Sequence, residues 1–140
     1  MNRPVSKFEV AERPEQVPTV EEAADAAFAA EALLDRAIAE LRPHIAPNGR
    51  VDADALERHQ DAAHRLAWLA TTAASLRQMA NWAERLSSTG AYGEIERLIT
   101  QIAVGEMLAQ ISGGIPMSQG EFVRPADLGL TPSDLEACMP

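Results

Sequence analysis

The sequence is poor in cysteine and in aromatic residues, and each shortage excludes a class of structure. Cys138 is the only cysteine, so no disulfide within the chain can stabilise the fold. Phe, Trp and Tyr make up only 4% of the residues, which excludes a thick aromatic core. No apolar run approaches the roughly twenty residues that cross a bilayer, and the N-terminus lacks the apolar stretch of a signal peptide. These shortages predict a cytoplasmic protein without a membrane partner.

Positive charge is scarce as well. The 12 Lys and Arg residues stand against 21 Asp and Glu residues, which gives a formal net charge of -9 at pH 7. The basic residues are scattered along the chain rather than clustered. Because binding to a phosphate backbone or an anionic lipid surface needs a basic face, we expect neither nucleic acid nor a membrane among the partners.

The longest unbroken pattern covers residues 53–88, which contain neither Gly nor Pro and are predicted to form one long helix beginning at Asp52 or Asp54. Apolar residues recur there at alternating spacings of four and three: Ala62, Leu66, Leu69, Ala73, Leu76, Ala80 and Ala83. A second row follows the same spacing on a neighbouring face: Trp68, Thr72, Ser75, Met79, Trp82 and Leu86. A helix with two apolar faces lies at the centre of a bundle, or another subunit or domain covers it.

A first helix is predicted to begin at Thr19, because Thr19 and Glu22 have the spacing of a capping box. Pro43 is expected to end this helix near Arg42. Its predicted buried stripe consists of Ala23, Ala27, Ala30, Leu34, Ala37 and Leu41, with Phe28, Leu33 and Ile38 at the margins. The link to the central helix is short, so the two helices should be antiparallel.

A third helix is predicted from residue 94 to about residue 111, and Gly113-Gly114 should terminate it. Gly105 lies inside this helix at a cost of about 1 kcal/mol relative to alanine, which predicts close backbone contact with a neighbouring helix. The apolar surface of the helix should come from Ile95, Leu98, Ile99, Ile102, Met107, Leu108 and Ile111.

The predicted fold is therefore all-α. Residues 19–114 form a three-helix, up-down-up bundle, and residues 1–18 form an extended arm that docks on it. Residues 115–140 form a C-terminal loop packed along the bundle, together with the start of a short helix. No segment alternates long enough to predict a strand. A helix that starts so close to Pro140 predicts that the natural polypeptide continues.

The histidines do not form a recognisable metal or catalytic motif. His59 and His64 are five residues apart, whereas pairs that bind a metal from one helix need a spacing of three or four. Glu57, Asp61 and His64 share a helix face, which we interpret as a solvated, salt-bridging surface rather than an acid–base site. We therefore predict no metal and no catalytic residue.

Trp68, Met79 and Trp82 form an aromatic and soft apolar patch on the central helix. Such residues are common at contact surfaces, so the patch is interpreted as a core row or an interface, with a ligand site as the rarer alternative. Gly113 and Gly114 follow a helix, whereas glycines that cradle a phosphate precede one.

Residues 59–124 resemble the helical C-terminal region of acyl-CoA dehydrogenases. The resemblance is carried by residues 59–68 on one helix, by residues 105–114 with Gln110-Ile-Ser-Gly113-Gly114 at their end, and by Arg124 beyond. The whole chain is similar to an N-terminal extension of some bacterial proteins of that kind. The resemblance implies FAD in the parent protein, and a flavin-adjacent position for Gln110, Gly113 and Gly114.

No segment can form the β-barrel that holds the flavin ring in that family, and no glutamate stands in a recognisable catalytic motif. The resemblance therefore implies an accessory helical domain of an acyl-CoA dehydrogenase-like oxidoreductase. It would dock on the flavin-binding catalytic domain, or assemble identical subunits into a homo-oligomer, through Trp68, Met79 and Trp82. The alternatives are a stand-alone helical protein-interaction module and a small-ligand binder that uses the bundle interior.

Overall fold

The first long helix, α1, begins where its capping box predicts. The computed structural model describes residues 19–118 and 120–138, and α1 spans Val20–Ile45. The Glu22 backbone N–H donates to Thr19 Oγ1 at 3.2 Å, and the Glu22 carboxylate accepts from the Thr19 backbone N–H. The predicted end near Arg42 is wrong: Pro43 lies inside the last turn, where its missing N–H removes a single hydrogen bond close to the helix end. The predicted arm of residues 1–18 lies outside the described residues.

The predicted long central helix is two helices. α2 spans Ala53–Arg58 and α3 spans Gln60–Ser88, and His59 between them has a non-helical backbone (φ -113°, ψ 20°). Asp52 rather than Asp54 is the N-cap of α2, because its carboxylate accepts from the Ala55 backbone N–H at 2.7 Å. The break separates a short turn that buries Ala55 from the long helix that packs on α1.

The chain after α3 contains more regular structure than predicted. α4 spans Glu94–Gly113, and two short strands follow, β1 (Ile115–Ser118) and β2 (Glu121–Val123). They pair antiparallel with Ile115 opposite Val123, so the prediction of a loop without strands is wrong here. A 3-10 turn (Pro125–Leu128) and α5 (Pro132–Cys138) complete the described chain, and both pack on α1 as the packed C-terminal segment predicts. The all-α class is confirmed, since the hairpin is the only sheet in the described ranges.

Alanine dominates the core. α1 lies against α3, and α3 against α4, around a cluster of buried side chains that consists of Ala23, Ala26, Ala27, Ala30, Leu33, Ala37, Leu69, Ala73, Leu76, Ala80, Val104, Ile111, Ile115, Val123 and Leu130. The predicted seam of the central helix is confirmed from Leu69 to Ala83. Leu33, expected at the margin of the first helix, is completely buried, whereas Leu34 is only partly buried. Small side chains let the helices approach closely, which the low aromatic content predicts.

The apolar surface of α4 mostly faces away from this core. Thr100, Val104 and Ile111 are buried, but Ile95 and Ile102 remain 68% and 60% exposed. The predicted apolar surface of α4 is therefore largely exposed in the first half of the helix. A Cβ on Gly105 would meet nothing within 4 Å, so the predicted close backbone contact at Gly105 is wrong within the described residues. The buried face of α4 includes a threonine, whose hydroxyl donates to the Glu96 carbonyl at 2.8 Å and so is satisfied within the helix. In the part of the chain that the structure describes, no helix is long and apolar enough to cross a membrane.

Ion pairs fasten the helices to one another at the rim of the core. The guanidinium of Arg77 on α3 donates twice to the Glu31 carboxylate on α1, at 2.8 and 2.5 Å. Arg36 on α1 pairs with Asp134 on α5. The hydrogen bond from Arg77 lowers the pKa of Glu31 below its ordinary value of 4.5. Hydrogen bonds from the Thr131 backbone and hydroxyl, and from Arg36, likewise lower the pKa of Asp134.

The Glu31–Arg77 pair predicts a pH-dependent contribution to stability. Because the folded-state pKa of Glu31 is lowered, the contribution is present above about pH 4.5 and is lost as the pH falls through the folded pKa. Glu31→Gln should therefore lower the free energy of unfolding near pH 7, by less than about 1 kcal/mol since both side chains are partly exposed. Urea unfolding at pH 7 and at pH 3 tests this, with Arg77→Gln giving the same loss near pH 7. An equal effect of Glu31→Gln at both pH values would contradict the pairing.

Candidate functional site

A groove runs along the surface between α3 and α4 and brings the predicted interface residues together. Its upper part, about 330 Å³, is lined by Trp68, Thr71, Thr72, Ser75, Ala103, Glu106, Met107, Gln110, Ile115 and Pro116. Its lower part, about 570 Å³, is lined by Thr71, Ala74, Ser75, Gln78, Met79, Trp82 and Met107. The two parts share Thr71, Ser75 and Met107, so they form one continuous depression, here called the α3/α4 groove.

The threonine and serine hydroxyls in the α3/α4 groove donate hydrogen bonds to the backbone of their own helix. Thr71 donates to the Ala67 carbonyl at 2.8 Å, Thr72 to the Trp68 carbonyl at 3.0 Å, and Ser75 to the Thr71 carbonyl at 2.8 Å. Each hydroxyl proton is therefore directed at the α3 backbone instead of the groove. Two tryptophans and two methionines also line the groove. With the hydroxyls already bonded, the floor of the groove suits an apolar partner rather than a polar ligand.

Trp68 is held at the upper end of the groove by a polar contact. Its indole N–H donates to His64 Nε2 at 3.2 Å, and the two rings meet edge to face with centroids 6.4 Å apart. Trp68 and Met79 pack against the core cluster on one side, and both remain only partly buried. His64 is exposed, as the predicted solvated surface requires, and it also orients the indole of Trp68. Asp61 on the same face pairs with Arg65 at 2.8 Å, which agrees with the salt-bridging interpretation.

The β-hairpin closes the upper end of the groove with Ile115 and Pro116. Arg65 on α3 holds the hairpin in place, because its Nη1 donates to the Phe122 carbonyl at 2.8 Å and to Asp127 at 3.3 Å. Its Nε donates to Asp61 at 2.8 Å, and this hydrogen bond raises the pKa of Arg65 above its ordinary value. Sequence reasoning missed this wall of the groove, since the hairpin was expected to be a loop.

Only one of the three residues assigned a flavin-adjacent position lines the groove. Gln110 is part of its upper wall, whereas Gly113 and Gly114 are not. Gly114 has a φ of +127°, and a Cβ there would lie 3.2 Å from the Cβ of Phe122 on the hairpin. Its small size is therefore required by the fold of this chain itself. A Cβ on Gly113 would meet nothing within 4 Å.

A second cleft, about 250 Å³, lies between the second half of α1, the start of α3 and the 3-10 turn, and it includes two histidines that sequence spacing did not connect. The rings of His44 and His59 have centroids 5.5 Å apart, and Glu40 and Asp127 also line this cleft. Asp127 is already engaged, since it accepts from Arg65 and from the Arg124 backbone N–H. Within residues 19–118 and 120–138, no group of three or more His, Cys, Asp or Glu side chains could hold a metal ion.

Comparison with known proteins supports the resemblance noted in the sequence. No protein-family model matches the chain. The chain is, however, similar to part of an acyl-CoA dehydrogenase, which confirms that resemblance. The relative is the (2S)-methylsuccinyl-CoA dehydrogenase of Cereibacter sphaeroides, and the two sequences are 53% identical over 108 residues. The match covers 77% of this chain but only 20% of the relative, so this chain spans about a fifth of the protein that it resembles.

Proposed function

We propose that this chain is a docking segment of a larger, FAD-dependent acyl-CoA dehydrogenase-like protein of the cytoplasm, and that it has no catalytic activity alone. The α3/α4 groove carries the proposal, because it presents Trp68, Met79, Trp82 and Met107 on a floor whose hydroxyls are already satisfied. The natural occupant is an apolar element of the remaining polypeptide. In the relative, about four-fifths of the protein lies outside the matched segment.

The described residues do not fit a flavin. A glycine is needed at position 114 because the hairpin packs against it, so this position forms no cradle for the flavin ring. Gly113 faces open space. The sheet consists of two short strands, and Gln110 is the only one of the three proposed flavin-adjacent residues in the groove. FAD in the larger protein would accept the hydride removed from an acyl-CoA thioester. The part played by this chain is to bind and orient the polypeptide that holds the flavin.

Trp82→Glu is the sharpest test of the groove. Trp82 is partly buried and stands outside the core cluster, so the variant should fold with an unchanged far-ultraviolet circular dichroism spectrum. A charge placed at a central aromatic contact should weaken docking about 30-fold or more, which corresponds to about 2 kcal/mol. The control is Phe28→Glu, which replaces a 70% exposed aromatic residue on α1 and should leave docking unchanged.

Docking can be measured by sedimentation in visible light, where the flavin absorbs and this chain does not. The probe is the Cereibacter sphaeroides relative expressed without the segment that matches this chain. Adding this chain should increase the sedimentation coefficient of the flavin boundary, and the Trp82→Glu chain should fail to do so. If the truncated relative retains its flavin and the unsubstituted chain leaves its sedimentation coefficient unchanged, a stand-alone interaction module would be supported instead. A yellow preparation of this chain alone would contradict the division between docking segment and flavin-binding part.

A further inference from the structure

The first three turns of α4 carry an apolar face that no described residue covers. This exposed α4 face consists of Ile95, Leu98, Ile99 and Ile102. Glu106 lies on the same side, one turn beyond Ile102. Within residues 19–118 and 120–138, the Glu106 carboxylate has no salt bridge to a basic side chain. The chemistry that fits this face is therefore a short apolar segment with one positive charge.

The size of the exposed α4 face favours a segment that is tethered to the bundle. At 1.5 Å per residue, Ile95 and Glu106 are about 17 Å apart along α4, and a helix face is about 10 Å wide. The area is thus on the order of 200 Å², whereas each partner of a stable complex contributes about 800 Å². A tethered segment needs less area, because its effective concentration at the face is in the millimolar range.

Residues 1–18 join the bundle at the end where this face lies. The second half of α1 meets the start of α3 in the second cleft, so α1 and α3 are antiparallel. The first half of α3 meets the second half of α4 in the upper part of the α3/α4 groove, so these two helices are antiparallel as well. The helices α1 and α4 therefore begin at the same end of the bundle. Thr19, the N-cap of α1, lies at that end.

We propose that residues 1–18 lie along the exposed α4 face, with Phe8 among its isoleucines and Lys7 paired with Glu106. The prolines among residues 1–18 favour an extended polyproline II conformation, which rises about 3.1 Å per residue. The eleven residues from Phe8 to Thr19 can therefore span about 34 Å. This is enough to pass around one neighbouring helix, since packed helices have axes about 8–10 Å apart.

The tether sets the direction and the register. Residues closer to Met1 lie closer to the end of α4, so the segment runs antiparallel to this helix. Val5 and Phe8 are three residues apart, which is one turn of polyproline II and about 9 Å. Six residues of α4 cover the same distance, so Val5 lies over Gly105 when Phe8 lies over Ile99. Gly105 leaves room for it, because a Cβ there would meet nothing within 4 Å.

Lys7 supplies the positive charge that Glu106 calls for. It is the only lysine in the sequence and directly precedes Phe8. Because both partners are exposed, we expect the ion pair to select the register rather than to add much affinity. The proposal does not depend on the proposed function, since the floor of the α3/α4 groove stays open when the α4 face is covered.

Zero-length crosslinking of the full chain tests the register, because Lys7 carries the only side-chain amine. A carbodiimide joins an amine to a carboxylate only where the two groups touch. Lys7 should be joined to Glu106 within a monomer of 15.1 kDa, as identified by mass spectrometry of the digested product. Glu106→Gln should reduce the crosslinked fraction of Lys7 at least fivefold, and Glu84→Gln on α3 should leave it unchanged. Crosslinks of Lys7 that form mainly to other carboxylates, or mainly within a dimer, would overturn the proposal.

Tryptic cleavage gives a second test without a crosslinker. Arg3 and Arg13 both precede proline, so the bond after Lys7 is the one bond among residues 1–18 that trypsin cleaves readily. Ile99→Ser should increase the rate of this cleavage at least fivefold, because it weakens the covering contact. Phe28→Ser, which changes an exposed aromatic residue on α1, is the control and should leave the rate unchanged. Equal rates for the unsubstituted chain and Ile99→Ser would overturn the proposal, and so would faster cleavage in Phe28→Ser alone, which would assign the segment to α1.

Discussion

Leu76→Ala should lower the free energy of unfolding by about 2–5 kcal/mol. Leu76 is completely buried near the middle of α3, where it belongs to the cluster that joins α1 to α3. Truncation removes three carbon atoms and leaves a cavity that the surrounding alanines are too short to fill. Because the core of this chain is built mainly from alanine, each of its few leucines provides an unusually large share of the buried volume. Urea denaturation followed by circular dichroism at 222 nm measures the change.

The matched comparison is Phe28→Ala, which truncates a side chain that is 70% exposed on α1. Substitutions at such positions usually change stability by less than about 0.5 kcal/mol. The slope of the unfolding free energy with urea should stay the same in both variants, since neither changes the surface exposed on unfolding. A loss below about 0.5 kcal/mol for Leu76→Ala would exclude the Leu69–Ala83 seam as the centre of the core.

Gly114→Ala should destabilise the chain by about 1–3 kcal/mol and disturb the β-hairpin. The backbone of Gly114 has a φ of +127°, which alanine adopts only with strain, and the added Cβ would lie 3.2 Å from the Cβ of Phe122. The Gly114 backbone N–H also donates to the Gln110 carbonyl at 2.7 Å, so strain at this residue reaches the end of α4 and the upper wall of the groove. Urea unfolding gives the stability change, and hydrogen exchange at Ile115 and Val123 reports on the hairpin.

The neighbouring glycine provides the control. Gly113 is the last residue of α4, and a Cβ there would meet nothing within 4 Å. Gly113→Ala should therefore be neutral or stabilise the chain by up to about 1 kcal/mol, since alanine restricts the unfolded chain more than glycine does. Equal losses of unfolding free energy for the two variants would mean that contact with the hairpin does not explain the glycine at position 114. The two glycines would then act as a pair, as binding of an external ligand would require.

Local signals predicted the ends of the elements well where a side chain makes the decisive hydrogen bond. The capping box at Thr19 and Glu22 fixes the start of α1, and Ser87-Ser88-Thr89-Gly90 marks the end of α3. The break at His59 could not be predicted in this way, because neither Gly nor Pro stands there. The β-hairpin was not predicted for a related reason. Its strands have four and three residues, too few for an alternating pattern to be recognised.

Apolar periodicity predicted which helices pack but not which of their faces lie inside this chain. On α4 the most hydrophobic side contains Ile95 and Ile102, yet the buried side contains Thr100 and Val104. An apolar side of a helix indicates that another surface packs against it. The sequence pattern does not show whether that other surface belongs to the same chain or to a different one. The residues predicted to form an interface, Trp68, Met79 and Trp82, share one row of α3, and all three line the groove. Its opposite wall comes from α4 and the hairpin, and only the three-dimensional fold shows that they meet there.

The placement of the two tryptophans gives the chain a built-in optical probe. Trp68 and Trp82 are the only tryptophans in the sequence, and both line the α3/α4 groove. Their ultraviolet emission therefore reports on the polarity of this one surface, without any label. The exposed face of α4, which consists of Ile95, Leu98, Ile99 and Ile102, contains no tryptophan, so contact there gives no direct spectral signature. Docking in the groove can thus be distinguished from contact elsewhere on the surface, because scattered light reports any increase in mass whereas emission responds to the groove.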